Sequence, residues 1–428
     1  MSRKCHALLV SAPSSGSGKT TVTAALARHF RNQGKQVRVF KTGPDFIDPM
    51  VLERASGHPV YQLDLWMTGE AECDRLLYEA AGEADLILVE GVMGLYDGTP
   101  SSADLAERFN LPLVAVIQSG AMAQTFGALA LGLAQYRPTL SFAGVIANGV
   151  ASAGHAQMLA ESLPLGIAYF GGLPKDETIA LPERHLGLFM ASEVADIEAR
   201  LDRAAAQFSA LALDSVPQTE FQSVVAAELP RLLEGVTIAV ARDAALCFLY
   251  QVNLDTLRAM GATLRFFSPL HDESLPEADS LCLPGGYPEL HLQALQNNQA
   301  LQQSLRAFHA SGKPIYAECG GMMLLFESIE DKHGNSGSMA GLLPGKVVMQ
   351  ARLAGLGSQA VELPEGRMRG HTFHYSRTET ALEPLVCGVP QRHGSTGEAV
   401  YRVGRLTASY LHLYFPSNPE AAARLFMP

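Results

Sequence analysis

The chain has 428 residues, 47% of them hydrophobic and 18% charged, with a formal net charge of −11. These proportions exclude a disordered chain and, at roughly 100 to 200 residues per domain, point to two large domains. The acidic balance excludes a broad electrostatic grip on nucleic acid or anionic lipid and leaves small molecules as the expected partners.

Apolar runs such as 111–117 are far shorter than the roughly 20 residues needed to cross a bilayer, and residues 1–5 lack the apolar core of a secretion signal. A cytoplasmic protein is therefore expected. Six cysteines, at positions 5, 73, 247, 282, 319 and 387, show no CxxC spacing. That pattern suggests neither a zinc site nor a disulfide framework.

Residues 7–10, 37–40, 86–89, 113–117 and 144–147 are short β-rich runs, each followed by a polar or glycine-containing turn and a helical stretch. This is a βαβ rhythm, and runs so uniformly apolar predict strands buried on both faces of a parallel sheet. The first run enters Ala12-Pro13-Ser14-Ser15-Gly16-Ser17-Gly18-Lys19-Thr20, after which a helix is predicted to about Phe30, closed by Gly34. A loop of small residues between strand and helix lets backbone N–H groups face phosphate oxygens. Lys19 is then placed to reach the β- and γ-phosphates, and the Thr20 hydroxyl to sit on Mg²⁺. The strict pattern has Gly six residues before the lysine, where this chain has Pro13. The loop is thus a variant.

The second run leads into Lys41-Thr42-Gly43-Pro44-Asp45-Phe46-Ile47-Asp48-Pro49, and the third into Glu90-Gly91-Val92-Met93-Gly94-Leu95-Tyr96-Asp97-Gly98. Both loops are expected on the carboxyl edge of the sheet, where parallel-sheet proteins bind ligands. Glu90 and Asp45 are candidate Mg²⁺ ligands, Lys41 a neutraliser of phosphate charge, and Asp48 and Asp97 substrate contacts. A Gly-Pro-Asp loop alone is an ordinary turn; its neighbourhood is what marks this one.

Ala-rich helical sequence and a polar stretch at 214–222 mark the expected boundary: 1–205 an ATP-binding domain, 206–234 a linker, 235–428 a second α/β domain. Strand-like runs recur at 236–241, 263–267, 280–283 and 314–317. The last enters Glu318-Cys319-Gly320-Gly321 and then an apolar helical stretch at 322–326, a pattern that resembles a nucleophile elbow. Gly286, in Pro284-Gly285-Gly286-Tyr287-Pro288-Glu289, and Gly320 are candidate oxyanion donors. His412 is the leading base; His371 and His374 compete.

The ordered set SSGSGKTT, KTGPDFIDP, VEGVMGLYDG, PGGYPE, AECGGMMLL, GHTFHYS and SYLHLYFPSNP resembles the cobyrinic acid a,c-diamide synthase family essentially from end to end. The resemblance implies an α/β chain with two parts. One is a P-loop domain of dethiobiotin synthetase type with a parallel sheet, the other a class I glutamine amidotransferase domain. It implies ATP as co-substrate, Mg²⁺, and amidation of the a and c acetate side chains of cobyrinate through an acyl phosphate. Nitrogen would come from glutamine by way of a Cys319 thioester, with His412 as acid and base. Ser15, Gly16, Ser17, Gly18, Lys19, Thr20, Thr21 and Lys41 would bind nucleotide, and Asn148 would read the adenine. Asp45, Phe46, Ile47, Asp48 and Asp97 would contact substrate.

The implied partners are the corrinoid, ATP and glutamine, with no nucleic acid or membrane; a homodimer is among the assemblies the sequence allows. Many class I amidotransferases carry a Glu two residues after the histidine, where this chain has Tyr414, so no third triad member is assigned. Hydrogenobyrinate or a nickel sirohydrochlorin is the alternative acceptor. A reading from another class is a nucleotide-switched positioning ATPase with a degenerate amidotransferase tail. Ser14, where that ATPase branch has a second lysine, and the intact Cys319 count against it.

Overall fold

A computed structural model describes residues 2–184, 187–188, 190–224, 228–392 and 397–428. The chain divides into two compact units, Met1–Ala226 and Ala227–Pro428. Among the described residues no helix is long and apolar enough to cross a membrane.

The first unit is built on an eight-stranded sheet. Seven strands run in the order Tyr61–Leu63, Val37–Thr42, Leu86–Glu90, Ser2–Ser11, Leu113–Gln118, Phe142–Val150 and Ala168–Pro174. All neighbours among these seven are parallel. Alternate side chains go to opposite faces, so Ala7 and Leu9 join one core with Ile87 and Val89, while Leu8 and Val10 join another with Leu88 and Val114. That is why the central strands show no polar alternation, and each fully buried Leu or Val adds about 1.5–3 kcal/mol.

Chain order reverses at the strand Ser2–Ser11, whose neighbours are the later strands Leu86–Glu90 and Leu113–Gln118. Such a switch point opens a crevice at the carboxyl ends of the strands. The helix Lys19–Asn32 starts in that crevice and buries Val22, Leu26 and Phe30 against the sheet.

The stretch expected as a linker contributes to this unit. Gln218–Gln222 pairs antiparallel with the first half of Ser2–Ser11, with Thr219 and Phe221 buried and their neighbours exposed. Its polar composition hid a period of two, and three of its five residues face solvent.

In the second unit the sheet order is Thr263–Phe267, Thr237–Ala241, Ser280–Leu283, Ile315–Glu318, Leu406–Ser409, Ala399–Val403 and Val386–Cys387. The first five strands are parallel and the last two antiparallel. A separate four-stranded antiparallel sheet joins Val389–Pro390, Gly355–Leu363, Gly366–His374 and His412–Tyr414. Its register sets His412 opposite His371.

The apolar stretch predicted as a helix over 322–326 is one turn only, Gly320–Met323, and the strand Phe326–Glu330 follows. Its apolar residues are buried in either state, so periodicity alone does not separate the two.

Candidate active sites

In the first unit the phosphate loop curls because Gly16 and Gly18 adopt φ of +75° and +88°, a region open to glycine at little cost. Gly18 also precedes the first helical residue, Lys19. The Asn148 side-chain amide donates to the Ser17 carbonyl at 3.0 Å and so ties the tip of the strand Phe142–Val150 to the loop. Ser15 is exposed and Thr21 half-buried.

Lys19 Nζ donates to the carbonyls of Met93, at 2.6 Å, and Ser14, at 3.2 Å. Burial, only partly offset by Glu90, holds the Lys19 ammonium below its ordinary range. Met93 has φ of +52°, uncommon for a residue with a side chain. This bend aims its carbonyl at the lysine, a contact that no motif in the sequence marks.

Glu90 is buried at the end of its strand. Its Oε1 accepts from Thr20 Oγ1 at 2.8 Å and from Lys41 Nζ at 2.7 Å. Its Oε2 is buried with no hydrogen-bond partner among the described residues. A buried carboxylate oxygen so placed fits a cation, as does the adjacent Thr20 hydroxyl. No group of three or more His, Cys, Asp or Glu that could hold a metal occurs among the described residues. The set Thr20, Asp45 and Glu90 is sparse, the type suited to Mg²⁺ shared with a nucleotide's phosphates.

Lys41 Nζ also meets Asp48 at 2.5 Å and Asp45 at 3.9 Å. Burial works against its charge, but Glu90, Asp48 and Asp45 outweigh that and hold the ammonium above its usual range. Asp45 is pushed up to about 7 by burial and by Asp48. Burial would raise Asp48 as well, yet Lys41 holds it below the ordinary carboxylate range. Asp45 Oδ1 accepts from the Ile47 and Asp48 amides, which starts the helix Ile47–Ser56 just after Phe46. Asp97, exposed, accepts from the Gly94 amide at 3.1 Å. The three loops predicted from separate stretches of sequence therefore meet at one sheet edge.

In the second unit Cys319 leaves its strand with φ of +46° and ψ of −112°, a strained elbow. Its amide donates to the Ser409 carbonyl at 2.8 Å. Gly320 and Gly286 are in close contact: a Cβ on Gly320 would lie 2.8 Å from the Gly286 nitrogen. Both proposed oxyanion donors thus flank the cysteine. A Cβ on Gly285 would strike His412 Cε1 at 2.3 Å, so glycine there admits the imidazole. The one-turn helix adds little dipole to favour a thiolate. The imidazole supplies the positive charge instead.

His412 is buried, which alone would push its imidazolium down; negative charge at Cys319, then Glu318, carries it up to about 10. His371 stacks on His412 with ring centroids 5.0 Å apart, and its Nδ1 hydrogen-bonds the Tyr250 hydroxyl at 3.0 Å. Burial and the His412 charge hold His371 well below the usual range. His374 instead meets Glu398 at 3.0 Å and stacks on Tyr410. Of the three candidates, His412 is the one paired with Cys319. Glu318, which the sequence reading passed over, lies 3.6 Å from His412 Nδ1.

Residues 8–189 match the CobQ/CobB/MinD/ParA nucleotide binding domain. Residues 237–420 match the CobB/CobQ-like glutamine amidotransferase domain. The chain is 60% identical over 426 residues to the hydrogenobyrinate a,c-diamide synthase of Pseudomonas aeruginosa, covering 99% of this chain and 98% of that one. It is 59% identical to the protein of the same name from Stutzerimonas stutzeri, covering 100% of each. To the cobyrinate a,c-diamide synthase of Herminiimonas arsenicoxydans it is 53% identical, covering 98% of this chain and 96% of that one.

Proposed function

The chain belongs to the cobyrinate and hydrogenobyrinate a,c-diamide synthase family, and from that premise we propose how its two sites divide one amidation. It is a carbon–nitrogen ligase with a nucleotide-binding half and a glutamine amidotransferase half. The observation that carries the division is the pairing of Cys319 with His412 in one unit while Lys19, Thr20, Lys41 and Glu90 gather in the other. Residues 1–205 are assigned to ATP and the acceptor and 235–428 to glutamine; of the connecting stretch 206–234, Gln218–Gln222 belongs to the first unit's sheet.

At the glutamine site Cys319 attacks the side-chain amide carbon, and the oxyanion that forms is met by the Gly286 and Gly320 N–H groups. His412 passes a proton to the departing ammonia, and water then releases glutamate from the thioester with His412 as base. At the other site Lys19 and the loop amides from Ser15 to Thr21 hold the triphosphate, with Asn148 at the adenine end. Lys41 offsets negative charge as the acceptor carboxylate attacks the γ-phosphorus. Ammonia then displaces phosphate from the acyl phosphate. Thr20, Asp45 and Glu90 would hold the Mg²⁺ that accompanies ATP, which supplies charge neutralisation at the phosphates when bound. Asp45, Phe46, Ile47, Asp48 and Asp97 line the acceptor side.

The acceptor is proposed to be cobyrinate, amidated at its a and c acetates. Hydrogenobyrinate is the second reading, favoured by the names of the relatives at 60% and 59% identity. Incubation with each ring in turn, ATP, Mg²⁺ and glutamine, followed by mass spectrometry, decides between them. Two carboxyl-to-amide exchanges are expected on the preferred ring. If glutamate and ADP appear while both rings keep all their carboxyls, the acceptor assignment is wrong.

A further inference from the structure

We propose that Glu318, the residue before the nucleophile, is the positioning carboxylate of His412, in place of one two residues after the histidine. This deepens the reading of Cys319 and His412 as a glutaminase pair and rests on it. The residue two positions after His412, Tyr414, is buried and packs edge-on against Tyr250 at 5.7 Å. A phenol packed there does not bring a negative charge to the imidazole.

Glu318 ends the strand Ile315–Glu318 and is buried. Its Oε2 accepts from the Tyr316 hydroxyl at 2.7 Å and from the Leu413 amide at 3.2 Å. One donor stands two residues back on the same strand face, and the other is the residue next to His412. With that oxygen anchored, Oε1 is directed to His412 Nδ1, 3.6 Å away. The separation is that of an ion pair longer than a hydrogen bond, and such contacts often tighten once substrate binds.

The backbone explains how two consecutive residues serve one ring. The φ of +46° at Cys319 turns the chain sharply out of the strand. Glu318 stays on the strand and faces Nδ1, which leaves Nε2 for Cys319. A carboxylate on Nδ1 fixes the tautomer and ring angle and stabilises the cation that forms during proton transfer. The ion pair also answers why a carboxylate is buried here at all, because an unpaired one would be strongly disfavoured.

Cys319 and Glu318 face His412 from the elbow, His371 from the neighbouring strand, and Phe248 lies edge-on at 6.3 Å. Tyr316 and Cys282 adjoin Glu318 itself. Both of those titrate well above their ordinary range through burial and the Glu318 charge. Glu318 is thus the one carboxylate facing the ring among the described residues.

The test is Glu318→Gln in the full chain, which keeps size and hydrogen bonding but removes the charge. Expected are a fall in glutaminase kcat on the order of 100-fold and a KM for glutamine unchanged within about twofold. The basic limb of the pH profile is expected to move to lower pH, because the imidazolium has lost a negative neighbour. Synthesis from ammonium salt should stay at the wild-type rate. A wild-type kcat overturns the proposal, and so does a reduced kcat with the limb unmoved, which marks a structural role only. If Glu318→Gln does not fold, Glu318→Asn, which also lacks the charge, decides by the same limb, shifted down or unmoved. Failure of the underlying pair shows separately, as glutaminase activity surviving in Cys319→Ala.

Discussion

His412 owes its charge to two neighbours that oppose its burial. Burial is the largest influence and lowers it, Cys319 is the largest that raises it, and the balance stands at about 10. Taken as a single group, this pairing stabilises the folded chain fully below pH 6.5, the ordinary histidine value. The contribution is lost as pH rises through about 10. Removing the sulfur takes away the largest influence that raises the histidine, so its titration point should fall. Nitrogen NMR of the labelled imidazole checks this: wild-type His412 is expected protonated at pH 8, and the Cys319→Ala variant neutral there. Equal titration in the two proteins would mean that the thiol does not hold the proton.

At this scale the sequence revealed those residues whose chemistry depends on their immediate neighbours. Lys19, Glu90 and Cys319 each end or follow a buried strand beside glycine, and the local string shows it. Glu318 and Met93 were invisible because their roles come from distant partners. The Leu413 amide that anchors Glu318 lies 95 residues away in the chain, and Lys19 lies 74 residues from the Met93 carbonyl it contacts. No local pattern encodes such a contact.

Among the elements, the phosphate loop shows how backbone conformation and crowding separate. Gly16 and Gly18 both have positive φ, but a Cβ on Gly16 meets nothing within 4 Å, whereas one on Gly18 would lie 2.1 Å from Asn148 Nδ2. Gly16→Ala therefore bears only the left-handed strain, about 1–2 kcal/mol, or roughly a 5- to 30-fold loss in ATP affinity if the strain falls on the bound loop. Gly18→Ala adds a collision that must displace the Asn148 amide from the Ser17 carbonyl, and calorimetry should read a larger loss of ATP affinity than for Gly16→Ala. Equal affinities for the two variants would show that the contact with Asn148 is not part of the nucleotide site.

Continuous apolar runs made the parallel strands legible as elements. The strand Gln218–Gln222 was not, because an edge pairing needs only two buried side chains and leaves its composition polar. The helix after Cys319 was overextended for the converse reason, since everything from Gly320 to Phe326 is buried whichever way the backbone runs.

Each unit is built around one large sheet with its own cores, and Glu90 in the first and Cys319 in the second stand at the carboxyl ends of parallel strands of those sheets. The residues suited to Mg²⁺ and phosphate all lie in the first unit, and the thiol with its imidazole lies in the second. Two opposite interventions follow from that separation. Replacing Cys319 with Ala removes the only step that needs the thiol, so glutamine-driven synthesis should vanish while ammonium salt still supports it. Chelating Mg²⁺ should do the reverse, stopping synthesis from either nitrogen source while glutamate release continues at a measurable rate. Product mass spectrometry and a glutamate assay on the same samples read both. The paired outcome matters because a general loss of folding would remove all activities together. If chelation ended glutamate release as completely as it ended synthesis, the thiol site would depend on the metal. The assignment of the two chemistries to independent halves of the chain would then be wrong.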